Sequence, residues 1–78
     1  MQKIQDHAHL SKVIESGRGY VLNGHMDRKV LHRATCSFAE IMSPGEYDKF
    51  YFGDLSEAVN WCNKKFGTYG WKRCGQCL

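Results

Sequence analysis

Residues 29–36 read KVLHRATC and residues 70–77 read GWKRCGQC, and each stretch contains two metal-ligand residues at a close spacing. His32 and Cys36 have three residues between them; Cys74 and Cys77 have two. Zinc takes four nitrogen or sulfur ligands in a tetrahedron, and pairs at these spacings wrap one side of the ion without straining the backbone. Together the two half-sites predict one structural zinc ion, Zn2+, held by His32, Cys36, Cys74 and Cys77. Gly75 inside CGQC predicts a tight turn that lets amides face the thiolates, and Ala34 and Thr35 a compact one in the first pair. Four protein ligands leave no open position for water, so a catalytic metal and an enzyme are not expected.

The length explains why a staple is needed. A chain of 78 residues is one domain. Its 42% hydrophobic residues and 13% aromatics argue for a globular fold rather than disorder. A core of this size supplies about 3–5 kcal/mol without disulfides, metal or association. The N-terminus, MQKIQDHAHL, carries charges and histidines where a secretory signal has an apolar run, and no stretch is apolar over the length of a membrane span. The expected compartment is the cytoplasm, with no membrane partner. There, thiols at these spacings bind metal rather than form disulfides.

Charge is unevenly placed. Segments 28–39 and 58–78 contain Arg28, Lys29, Arg33, Lys64, Lys65, Lys72 and Arg73 and no acidic residue. The formal +3 therefore divides into +7 in the two ligand-bearing segments and −4 in the rest.

Working outward from the ligands, KVLH reads as a strand delivering His32, preceded by GYVLN as its hairpin partner across a GHMDR turn. KFYF reads as a third strand with Phe50 and Phe52 on one face and Tyr51 on the other. ATCSFAEIM suggests a helical turn or two, and SPGEYD a loop. Residues 2–15 carry Ile4, Ala8, Leu10, Val13 and Ile14 at helical spacing, ended by SGRG. Residues 55–66 form the clearest helix, with Leu55, Ala58, Val59, Cys62 and Phe66 on one stripe, Asp54 or Ser56 as cap and Gly67 at the end. The fold class is α+β: one zinc-stapled domain over 1–78, with a short antiparallel sheet and two or three helices. Cys62 falls in the apolar stripe and reads as a core thiol. His7, His9 and His25 read as surface residues.

The series YVLN, KVLHRATC, KFYFGDLSEAVNWC and GWKRCGQC resembles the small metal-binding domain of the bacterial Ada alkylation-response family, and more closely its relatives appended to nucleases and other DNA-handling proteins. The resemblance covers roughly 19–77 and leaves the N-terminal helix, 1–16, outside it. The chain departs from the pattern by a longer loop around MSPGEYDK and by the extra residues CNKKFGTY before the last pair. In the Ada repair domain four cysteines hold zinc, and the first ligand of the Cys-x3-Cys pair accepts a methyl group from DNA phosphotriesters. His32 stands at that position here, so the resemblance implies a metal module without the acceptor sulfur.

The basic segments and the resemblance together point to a DNA-binding module. Arg33 follows His32 and Lys72 and Arg73 precede Cys74, so one ion would gather all three. Lys64 and Lys65 add to them, and Trp71 offers a ring for base stacking. The other function class that the sequence leaves open is a zinc-stabilised protein-interaction module, alone or as part of a longer multidomain chain.

Overall fold

In the computed structural model, described for residues 1–24, 29–36, 48–75 and 77–78, the chain is an α+β domain of two helices and a five-stranded mixed sheet. The elements are β1 (Gln2–Lys3), α1 (His7–Ser16), β2 (Tyr20–Gly24), β3 (Lys29–Arg33), β4 (Asp48–Phe52), α2 (Leu55–Phe66) and β5 (Lys72–Arg73). The expected turn at GHMDR, the helical turns after Cys36 and the SPGEYD loop lie wholly or mostly outside the described residues. None of the described helices is long and apolar enough to cross a membrane.

The sheet order is β1-β4-β2-β3-β5. Strands β2, β3 and β4 are antiparallel, as expected; β1 adds antiparallel to β4, and β5 joins parallel to β3, with Val30 opposite Lys72 and Leu31 opposite Arg73. Side chains alternate across the sheet, so it has two apolar faces, each covered by one helix. On one, Val21 and half-buried Tyr51 pack with Ile4, Leu10, Val13 and Ala34. On the other, Leu22, Leu31 and Phe52 meet Ala58 and Cys62 of α2, with Phe50, Trp61 and Phe66 around them. Phe50 and Phe52 thus share a face opposite Tyr51, as the alternation in KFYF implies.

Helix α2 occupies the expected residues. Asp54 caps it, accepting from the Glu57 amide at 3.1 Å, and Lys64 and Lys65 in its last turn complement the helix dipole. Helix α1 is shorter than periodicity predicts. Asp6 is its cap, accepting from the His9 amide at 2.8 Å, and Gly17 ends it at φ 66°. Residues 2 and 3 instead pair with Tyr51 and Phe50 of β4, and the Ile4 amide donates to Lys49 O at 2.9 Å. Ile4 joins the same apolar cluster as Leu10 and Val13, so the apolar pattern was informative while the conformation it suggested was not. A capping aspartate at position 6 and an open edge on β4 outcompete one further turn of isolated helix.

Candidate metal centre

Strand β3 positions the first half-site. His32 lies opposite Val21 of β2 and is 5% exposed, with its side chain on the α1 face of the sheet. The chain then turns: the Cys36 amide donates to Arg33 O at 3.0 Å, which swings Cys36 back until its Sγ lies 3.7 Å from His32 Nδ1. Strand β5 brings the second half-site alongside. The Cys74 amide continues the ladder by donating to Leu31 O at 2.9 Å, and the Leu78 amide donates to Cys74 O at 3.0 Å, closing a turn around Cys77.

The four candidate ligand atoms of His32, Cys36, Cys74 and Cys77 all lie within 4.8 Å of one another. In a tetrahedron with Zn–S of about 2.3 Å and Zn–N of about 2.0–2.1 Å, ligand atoms stand roughly 3.5–3.8 Å apart. The His32–Cys36 separation matches that edge, and the whole set is compatible with one metal ion after small side-chain adjustments. Among the described residues this is the only His, Cys, Asp and Glu grouping of its kind.

The chemistry of the donor set fits a cation as well. Burial, followed by Lys49's positive charge, lowers the His32 pKa and favours the neutral imidazole that ligates metal. Burial first, and then hydrogen bonding and charge from the neighbouring thiols, push Cys77 up to about 11; an amide bond from Arg33 works in the opposite direction. Three thiols packed this closely do not ionise together without a positive charge among them. The Arg33 amide donates to Cys77 Sγ at 3.2 Å, the kind of outer bond that orients a thiolate ligand. Arg33 Nε also donates to Cys77 O at 2.8 Å, tying β3 to the second turn by a side chain.

Gly75 is not required in the way the sequence suggests. Its φ is not positive, and a Cβ there would meet nothing within 4 Å. The turn is held by its hydrogen bonds. Cys62 lies apart from the centre, fully buried between α2 and the sheet, where burial pushes its thiol up to about 11.

The basic residues fall into two groups. Arg33, Lys72 and Arg73 are exposed on adjoining strands beside the metal ligands, and Lys64 and Lys65 are exposed at the end of α2. Lys29 has a different neighbour, its Nζ lying 5.2 Å from the centre of the Phe66 ring. Trp71 is half-buried against the α2 side of the core, and its indole N–H donates to Asn63 Oδ1 at 2.8 Å.

Two residues escaped the sequence reading. Tyr69, 99% exposed, stands in the turn between α2 and β5. The Gly70 amide donates to Gly67 O at 3.2 Å in that turn, and a Cβ at Gly70 would approach Phe66 O to 2.0 Å, so only glycine closes it. Lys49 is the reverse case, a lysine with 0% exposure whose Nζ donates to Asn23 Oδ1. Strand alternation places it on the same face as Tyr51, and that signal was available; its charge argued against burial.

Compared with protein-family models, curated proteins and solved structures, the chain gives no match.

Proposed function

We propose that the protein is a non-catalytic nucleic-acid-binding module, stapled by one structural zinc ion at His32, Cys36, Cys74 and Cys77, that binds DNA through the basic surface around that ion. The supporting observation is the pairing of β3 with β5. It places exposed Arg33, Lys72 and Arg73 on two adjoining strands whose ends carry the four ligands, so the element that holds metal also gathers cations. Lys64 and Lys65 extend this surface along the chain to the end of α2. Tyr69, between the two pairs of bases in sequence, is among the described residues the fully exposed aromatic side chain open to a base. The resemblance to the Ada-type domain favours DNA over other polyanions, and His32 in the acceptor position argues for binding without methyl transfer.

Zinc content by mass spectrometry tests the staple, and a salt titration tests the surface. Each phosphate neutralised on a duplex contributes about −0.9 to the slope of log K against log salt. Three to five contacts give a slope of roughly −3 to −5. Lys72→Glu with Arg73→Glu abolishes binding and leaves zinc and fold in place, because both side chains are exposed and neither is a ligand. Salt-insensitive binding, or unchanged affinity in that double variant, would refute the DNA reading.

A further inference from the structure

Trp61 sits where the buried stripe of α2 meets its exposed side. The ring is half-buried, tilted against Phe50 and Phe52 at centroid separations of 4.8 and 5.4 Å and edge-on to Phe66 at 5.7 Å. Three aromatic neighbours hold it in one orientation, so little ordering is left to do when a ligand arrives. Its polar edge is not used inside the protein. The Trp71 N–H is donated to Asn63, whereas the Trp61 N–H has no acceptor among the described residues. No buried side-chain nitrogen or oxygen among those residues lacks a partner, so the Trp61 N–H reaches solvent.

Trp61, Lys64 and Lys65 line a notch of about 130 Å³ that opens to solvent. The share of one water in the liquid is about 30 Å³, so the notch holds more than a single water. Spacings of three and four residues put these side chains on one face of the helix, with the aromatic ring as a wall and the lysines beside it. Lysine stems are apolar and their heads are charged, so the notch combines an apolar wall with a cationic rim. Among the described residues no carboxylate pairs with Lys64 or Lys65. A ligand complementary to this arrangement is flat and apolar at its centre and anionic beside it. One nucleotide of a single strand has that form. A duplex does not present it, because its bases are stacked within the helix and only phosphates face outward.

We propose that the Trp61 notch is a base subsite for single-stranded DNA, in which one base stacks on Trp61 and the adjoining phosphates pair with Lys64 and Lys65. The proposal deepens the DNA-binding reading and rests on it. It gives the end of α2 a different task from Arg33, Lys72 and Arg73, which meet phosphate without a notch beside them.

The test is the fluorescence of Trp71→Phe, in which Trp61 is the single indole. It is titrated with an oligothymidylate about ten nucleotides long, within the usual site size, and with an abasic strand of equal length. Anisotropy of labelled forms of both strands reports binding in parallel. The thymidine strand quenches Trp61 and binds at least about 5-fold more tightly than the abasic one, the lower end of the range for a stacked base. The abasic strand binds through its phosphates and leaves Trp61 nearly unchanged. Lys64→Gln with Lys65→Gln makes the slope of log K against log salt shallower by about 1.4 for two contacts on a single strand. Should Trp71→Phe not fold, the indole N–H signals of the ¹⁵N-labelled unsubstituted chain give the same reading: that of Trp61 shifts with the thymidine strand and that of Trp71 stays in place. DNA binding that leaves Trp61 unaffected, or equal quenching by the abasic strand, would overturn the subsite and leave the DNA reading standing. Quenching by a polyglutamate peptide in place of the thymidine strand would assign the notch to acidic protein segments and overturn it as well. Absence of any salt-sensitive DNA binding by anisotropy would refute the DNA reading and the subsite with it.

Discussion

Replacing Cys74 with serine removes a single sulfur atom, and on the proposed zinc reading the domain is expected not to survive it. Among the described residues the apolar core is divided by the sheet into two clusters of five buried side chains each. Such a core contributes about 3–5 kcal/mol. Zinc binding in small domains contributes on the order of 10–16 kcal/mol, expressed as folding free energy. With zinc bound as proposed, the metal term would be the larger, and β5 would depend on it most, because a two-residue parallel strand has few hydrogen bonds of its own. Cys74→Ser is therefore expected to be unfolded at 25 °C and free of zinc. Cys62→Ala is the control, since it deletes an equally buried sulfur that belongs to the α2 cluster. It is expected to keep one zinc per chain and to cost about 1–2 kcal/mol for the lost burial and residual cavity. For a domain of this size that lowers Tm by roughly 4–16 °C. Native mass spectrometry reads the stoichiometry, and circular dichroism with and without chelator reads the fold. Zinc retained in Cys74→Ser and lost in Cys62→Ala would refute the ligand assignment; a melting curve that ignores chelator would refute the stability argument.

Three further outcomes are expected. Tyr69→Ala weakens binding to single-stranded DNA about 5–150-fold, the range for loss of one stacked base, and leaves duplex binding nearly unchanged, as fluorescence anisotropy with both probes would show. The Cys62 thiol, raised to about 11 by burial, adds stability that is complete below about pH 9 and is lost as pH rises through 11. Its folded state holds the proton more tightly than its unfolded state, so denaturant midpoints fall on the alkaline side, and Cys62→Ala flattens that fall. Incubation with DNA carrying methyl phosphotriesters leaves the intact mass of the chain unchanged; one added methyl group mapped to Cys36 would restore an acceptor role to the centre.

What the sequence determined by itself is what short-range chemistry encodes. Ligand spacing in HRATC and CGQC depends on a few bonds of backbone, and the structure brings His32, Cys36, Cys74 and Cys77 together as those spacings imply. Helix α2 was legible for the same reason, since its cap, its apolar stripe and its terminating glycine lie within one continuous segment. Pairings between distant segments decided the rest. Residues 2 and 3 pair with 51 and 50, and residues 72 and 73 with 30 and 31, contacts whose partners no local pattern names. The same long-range assembly buried Lys49. A lysine has an intrinsic preference for solvent that reads one way in isolation. The preference yields where the sheet has already fixed the backbone, because a strand held by two neighbours can turn its side chains only up or down.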